Sequence, residues 1–207
     1  MSTRTTDRAV VFDLGNVLIR WDAHPAVAAG VGAEEATRFL GAEDFDFLAW
    51  NSTLDSGTRL VDARAVVSRD HPHWAEHVSA YTDNFVLSIT ETIDANVAVL
   101  RDLHAAGVPL FALTNWSDEL FPHAVERYEF LGLFDDIVVS GAERLAKPDP
   151  AIFDRLRDRV GRPLVECVFV DDSEANVAAA AAAGLDAVRF TDDVDLRAEL
   201  RTRGLPV

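Results

Sequence analysis

The stretch Ala9-Val10-Val11-Phe12-Asp13-Leu14-Gly15-Asn16-Val17-Leu18-Ile19 decides how the rest of the chain is read. Four apolar residues run into a carboxylate, and Leu14-Gly15-Asn16 then interrupts the run before Val17-Leu18-Ile19 resumes it. A short apolar run bounded by glycine and asparagine predicts a buried strand that ends in a turn. In open α/β sheets, ligands bind beyond the carboxyl ends of the strands. Asp13 therefore stands where a catalytic carboxylate would be placed. An aspartate after a strand is also a common turn former or helix cap, so the decision falls to segments further along.

The bulk properties narrow the choices. A chain of 207 residues, 49% hydrophobic and 26% charged, has the composition of an ordinary globular protein. It is long enough for one substantial core and an inserted subdomain. A formal charge of −16 argues against nucleic acid or an anionic membrane as partner. It also means that a site for an anionic substrate must supply its own local positive charge. The single cysteine, Cys167, lies in the apolar run 165–170 and reads as a small buried side chain rather than a reactive thiol. The N-terminal residues 2–8 are short and polar, without the apolar core of a signal peptide. No segment approaches the roughly 18 apolar residues of a membrane span. The expected location is the cytoplasm.

Between residues 20 and 93 the pattern is helical and punctuated, with no convincing strand. Short helices are expected over 25–29, 34–40, around 45–49, 60–68 and 74–86, with a turn at Asp55-Ser56-Gly57. Three of the four tryptophans, Trp21, Trp50 and Trp74, fall here. They pack a small helical core, or one or two of them line a pocket.

From residue 94 the texture changes to alternation. A helix over 94–107 stops at Gly107, and a strand over 109–113 ends at Thr114-Asn115. Ser117 followed by Asp118-Glu119 predicts a helix start. A strand over 136–139 ends at Ser140-Gly141. Asp149-Pro150 opens a helix whose buried face is Ile152, Phe153, Leu156 and Val160. A strand over 167–170 ends in Asp171-Asp172, Ser173 caps an alanine-rich helix that stops at Gly184, and 186–190 reads as a last strand. Strands alternating with helices of this length predict a doubly wound parallel α/β sheet. The helical stretch is then an insertion, dividing the chain into a core of residues 1–19 and 94–207 and a helical unit of residues 20–93.

Four polar groups consequently stand at or after the ends of four different strands: Asp13, Thr114-Asn115, Lys147 and Asp171-Asp172. Lys147 is the only lysine among 19 cationic residues. A compact ammonium suits a place among carboxylates and phosphate oxygens better than a planar guanidinium does. The chemistry that uses this set is phosphoryl transfer through an aspartyl phosphate. Two anions approach one another only when their charge is neutralised, and Mg2+ favours one or two carboxylates with phosphate oxygens and water. Asp13 with Asp171-Asp172 offers such a set. Thr114 and Asn115 are placed to donate hydrogen bonds to phosphoryl oxygens.

With these motifs in place, the chain resembles the haloacid dehalogenase superfamily over nearly its whole length. The motifs are the Asp13 strand, Leu113-Thr114-Asn115, Lys147-Pro148-Asp149-Pro150 and Val170-Asp171-Asp172-Ser173. The insertion resembles the small α-helical cap of the subfamily that contains haloacid dehalogenases and sugar phosphatases, on a Rossmann-like core. The resemblance implies Asp13 as nucleophile, Thr114 and Asn115 as phosphate binders, and Lys147 as the cation that steadies both. It implies Asp13, Asp172 and the Gly15 carbonyl as ligands of Mg2+, with Asp171 behind them and Asn176 supporting the acidic pair. Trp21, Asp22, Asp46 and Asp55 are the candidate substrate contacts from the cap.

One position departs from the family pattern. Most phosphatases of this family carry a second aspartate two residues after the nucleophile, as acid for the leaving group and base for water; here that position is Gly15. The role is worth roughly 10²–10⁴ in rate. Asp22, His24, Asp46 or Asp55 could replace it, or the substrate could have a leaving group that needs little protonation. The expected function is Mg2+-dependent hydrolysis of small phosphorylated metabolites, with sugar phosphates as the candidate class. The alternatives are a 2-haloacid dehalogenase, and a catalytically weak member acting as a binding protein.

Overall fold

The computed structural model describes residues 8–207, so that residues 2–7 of the polar N-terminal segment lie outside the described residues. Strand β1 (Ala9–Phe12) is central in a five-stranded parallel sheet with β2 (Leu110–Thr114), β3 (Asp136–Val139), β4 (Cys167–Asp171) and β5 (Asp186–Arg189). The order is β3-β2-β1-β4-β5. Connections from β1 run outward in one direction through β2 to β3, and then return to the other side for β4 and β5. The direction of winding therefore reverses between β1 and β4, which is where open α/β sheets form a crevice beyond their carboxyl ends.

Alternation along the strands explains the two layers. Val10, Phe12, Leu110, Ala112, Val168 and Val170 face one hydrophobic cluster, while Ala9, Val11, Phe111, Leu113, Cys167 and Phe169 face the other. Both faces are covered, so the strands read as continuous apolar runs. One face packs on α9 (Pro150–Val160), through Ile152, Phe153, Leu156 and Val160, and on α10 (Glu174–Ala182). The other packs on α6 (Asp94–Ala105) and α11 (Leu196–Thr202). Cys167 is a buried filler, and burial pushes its thiol up to about 11.

Between β1 and α6 the chain forms α1 (Ala23–Val31), α2 (Ala33–Leu40), α3 (Phe47–Asp55), α4 (Leu60–Asp70) and α5 (Ala75–Asp83). Their core is aromatic: Phe39 meets Phe45, Phe47 and Trp74 at ring separations of 5.4, 5.6 and 5.3 Å. Trp50 and Trp74 are buried in that core, whereas Trp21 also lines a cavity. No helix among the described residues is long and apolar enough to cross a membrane.

The structure departs from the sequence expectations in three places. Ser117 opens a turn and not a helix: its carbonyl accepts from Leu120 and Phe121, and α7 (Phe121–Arg127) begins only there, with Pro122 in its first turn. A single helical turn, α8 (Ser140–Glu143), follows β3 directly. Ser173 precedes α10 without a side-chain capping bond, and its main-chain N–H donates to the Asp171 carboxylate.

Candidate active site

Sheet register brings two carboxylates together. Phe12 pairs with Val170, and the Asp13 N–H donates to the Val170 carbonyl at 2.8 Å, so Asp13 and Asp171 emerge side by side from adjacent strand ends. Asp13, Asp171 and Asp172 offer oxygens within 4.8 Å of one another. Such a cluster needs positive charge, and Lys147 supplies some of it from inside the protein. Its Nζ lies 2.7 Å from Asp171 Oδ2, 3.0 Å from Asp13 Oδ1 and 2.8 Å from the Leu113 carbonyl. The side chain is fully buried, so these contacts are screened little by solvent. Burial works against the ammonium, but Asp13 and Asp171 outweigh it and hold Lys147 above its ordinary range.

The lysine is aimed by its own loop. The Asn115 side chain accepts from the Lys147 N–H at 2.8 Å and donates to the Lys147 carbonyl at 2.9 Å, locking the end of β2 to residue 147. The Lys147–Pro148 peptide is cis. Asp149 then caps α9 by accepting from the Ala151 N–H. The Asn115 amide is thus spent on positioning, and what it offers a ligand is main chain. Thr114 is buried at the end of β2 and, like Lys147, stands behind the wall of the cavity.

The three carboxylates differ in what holds them. Asp171 is fully buried and accepts from Lys147, from the Ser173 N–H at 2.8 Å and from Asn176 Nδ2 at 3.0 and 3.2 Å. Its oxygens are committed to the protein. Asp13 Oδ1 accepts from the Leu14 N–H at 2.7 Å as well as from Lys147, which leaves Oδ2 as the oxygen open to chemistry. Burial raises the Asp13 carboxyl to about 7 against the pull of Lys147, and Asp171 and Asp172 push in the same direction. Asp172 is half-buried and faces the cavity; burial and Asp171 raise it, with Lys147 and Asn16 opposing. One ammonium against three carboxylates leaves the group short of positive charge. The donors are all hard oxygens, which suits Mg2+. Asp13, Asp172 and the Gly15 carbonyl could hold it, with Asp171 braced behind.

Above this floor lies a cavity of about 500 Å³. Its floor residues include Asp13, Gly15, Asn16, Asp172 and Asn176, and its walls include Trp21, Asn51, Asp55, Tyr81 and Trp116. No lysine, arginine or histidine lines it among the described residues. The Trp116 indole N–H is buried and has no hydrogen-bond partner within the protein, so it is a donor for which an acceptor is missing. Of the candidates in the insertion, Trp21 and Asp55 line this cavity. Asp22 and Asp46 serve as N-terminal caps of α1 and α3, accepting from His24 and Ala49, and border a second depression beside it. His24 is partly buried, lies outside the cavity lining and is engaged with Thr37 and the Ala33 carbonyl.

Sequence reasoning missed several residues that build this site. Asn16 adopts a left-handed φ of 54°, uses Oδ1 to accept from the Trp21 N–H and faces Asp172; an asparagine beside the glycine of the turn after β1 was its only signal. Ser140 is fully buried, and its hydroxyl accepts from the Trp116 main-chain N–H and donates to the Asp55 carbonyl. Nothing in the sequence marked it beyond its place at a strand end.

Comparison with known proteins places these features in context. A family model described as haloacid dehalogenase-like hydrolase matches residues 8–184. A phosphoglycolate phosphatase from Cereibacter sphaeroides is 32% identical over 88% of this chain and 84% of its own length. A sesquiterpene phosphatase from Aspergillus oryzae is 25% identical over 95% and 96%. Among solved structures, a HAD family enzyme from Bacteroides thetaiotaomicron in complex with magnesium and inorganic phosphate superposes with a TM-score of 0.73, covering 94% of this chain and 99% of that one at 18% identity.

Proposed function

The chain belongs to the haloacid dehalogenase-like hydrolases, and on that premise we propose that it is a Mg2+-dependent phosphatase of small phosphorylated metabolites acting through an aspartyl phosphate on Asp13. The observation that carries this reading is the buried Asp13–Lys147–Asp171 network beneath an open Asp13 Oδ2. Similarity to phosphoric monoester hydrolases supports it.

Each residue then has a task. Asp13 Oδ2 attacks phosphorus while Lys147 holds Oδ1, so the nucleophile approaches in one orientation. Lys147 offsets charge on the entering phosphoryl group, as does Mg2+ when held by Asp13, Asp172 and the Gly15 carbonyl. The Asn115 main chain borders the phosphoryl position with Thr114 behind it, and Asn176 keeps Asp171 from turning away. Residues 20–93 act as a cap that closes the cavity over the ester and excludes water from the reacting centre.

The lining bears on the substrate. Sugar phosphates are the class expected from the sequence, and Asn51 and Ser117 could serve a hydroxylated body. Trp21, Leu48, Tyr81, Phe85 and Leu120 form an apolar wall, and among the described residues no second cation lines the cavity for a carboxylate or another phosphate. This favours a monoester whose alcohol is uncharged and partly apolar over a phosphorylated acid. The deciding assay measures phosphate release from sugar phosphates, isoprenoid alcohol monophosphates and phosphoglycolate, with and without Mg2+, alongside chloride release from 2-haloacids. Phosphate release that depends on Mg2+ and is lost in Asp13→Asn is expected. Full turnover in Asp13→Asn, or chloride release alone, would overturn the proposal.

A further inference from the structure

Breaking a phosphate ester of an ordinary alcohol requires a proton for the departing oxygen, and the later attack of water requires a base. At the floor of the cavity no group is free for this work: Asp171 is saturated with donors, Asp13 is the nucleophile, and Asp172 belongs to the cation site. Among the described residues lining the cavity, the remaining ionisable side chains are Asp55 and Tyr81. Burial pushes the Tyr81 hydroxyl far above its ordinary value, and it accepts a hydrogen bond from Trp21 Nε1, so it is a poor source of a proton.

We propose that Asp55, the last residue of α3, is the acid–base group of this enzyme and takes the role left vacant at Gly15. The inference rests on the phosphatase reading above and identifies a residue within it. Three observations carry it. Of the acidic residues of the insertion singled out from the sequence, Asp55 alone lines the cavity that contains Asp13. Its carboxylate is lightly held, by Asn51 Nδ2 at 3.4 Å and by the Ser117 N–H, with no arginine or lysine among the described residues in a salt bridge to it. Its main chain, by contrast, is fixed to the core. The Ser140 hydroxyl donates to the Asp55 carbonyl at 2.6 Å, and Gly57 approaches so closely that a Cβ there would lie 2.8 Å from the Gly141 carbonyl. A pinned backbone carrying a loosely held carboxyl suits a group that must exchange protons at a fixed place. Burial also raises the Asp55 carboxyl to about 7, opposed by Lys147 and the Ser117 N–H, so both protonation states are available near neutrality.

In the first half-reaction, Asp13 Oδ2 forms a bond to phosphorus as the bond from phosphorus to the leaving oxygen breaks, and the Asp55 carboxyl passes its proton to that oxygen. The alcohol leaves, with Asp55 ionised and Asp13 phosphorylated. In the second, a water molecule attacks the phosphoryl group and gives its proton to Asp55. The Asp13–phosphate bond breaks, inorganic phosphate departs, and both carboxyl groups return to their starting states.

The test is the dependence of kcat/KM on leaving-group pKa across nitrophenyl, phenyl and alkyl phosphates at saturating Mg2+. Wild type is expected to show a shallow slope, because the leaving oxygen is protonated as it departs. Asp55→Asn should lose roughly 10²–10⁴-fold on alkyl phosphates and little on nitrophenyl phosphate, so its slope steepens; Asp55→Glu should restore part of the loss. A retained kcat/KM on nitrophenyl phosphate, which reports only the steps up to departure of the alcohol, shows that the variant is folded. A steep slope in wild type, or a uniform loss across all leaving groups in Asp55→Asn, overturns the role of Asp55 while the phosphatase reading stands. If wild type releases phosphate from none of these esters, the phosphatase reading itself fails.

Discussion

The two sides of the cavity hold their carboxylates in opposite ways. On the sheet side, Asp171 is bound by an ammonium, a main-chain N–H and an amide, and its neighbour Asp13 has one oxygen committed to the same lysine. On the helical side, Asp55 has a fixed backbone and a nearly free side chain. A carboxylate surrounded by donors is a strut: it is held in place and orients the groups around it. A carboxyl with few partners in a partly dry wall keeps its affinity for protons and can trade them. The contrast suggests a division of labour in which the sheet fixes the phosphoryl chemistry while the insertion handles the leaving group and shapes the cavity around it.

The largest expected effect lies on the sheet side. Asp13→Asn removes the nucleophile at nearly constant volume, and phosphate release should fall at least about 10⁴-fold. Next come the two acids of β4 and its following loop, which should separate cleanly. Asp171→Ala leaves Lys147 with one counter-ion fewer in a buried site and should cost about 3–5 kcal/mol in urea unfolding. Asp172→Ala, in a half-open position, should change stability by less than about 1 kcal/mol while abolishing the Mg2+ stimulation of turnover. Equal destabilisation by the two would erase the distinction between strut and ligand.

Smaller effects probe the seam and the roof. Gly57 has a φ of 89°, and a Cβ there would meet both Arg144 Cγ and the Gly141 carbonyl at 2.8 Å. Gly57→Ala should therefore cost about 1–3 kcal/mol, seen as a Tm lowered by roughly 2–4 °C per kcal/mol. An unchanged Tm would mean that the insertion is not fixed to the core at this point. Leu48 lines the cavity yet is 65% exposed, so Leu48→Ala should leave stability within about 0.5 kcal/mol. It should raise KM for apolar esters by about 5-fold or less; an equal rise for sugar phosphates would remove Leu48 from the apolar wall.

Much of the sheet was legible because strands buried on both faces must be apolar throughout, and each one ended at a polar residue. The buried face of α9 could be read off residue by residue, since a helix against a sheet shows its inner stripe at every third or fourth position. The start of α7 and the turn at α8 were not legible. Ser117 carries the acids that usually follow a capping residue, but its carbonyl was taken by a tight turn that no local propensity announces. Ser140 was equally silent, because its importance comes from two partners 24 and 85 residues away in the chain.

For the site, the sequence by itself determined the inventory: a carboxylate after the first strand, a lone lysine, an acidic pair, and a missing acid at Gly15. These could be read because each sits at the end of a periodic element, where the pattern breaks. Only the tertiary structure decided which acid of the insertion reaches the cavity, since Asp22, Asp46 and Asp55 all occur at helix ends and look alike in one dimension. Two became caps because their carboxylates met the free N–H groups of a helix start. Asp55 closes a helix, where that helix offers carbonyls rather than donors, and so its side chain, lightly held by Asn51 and the Ser117 N–H, lines the cavity.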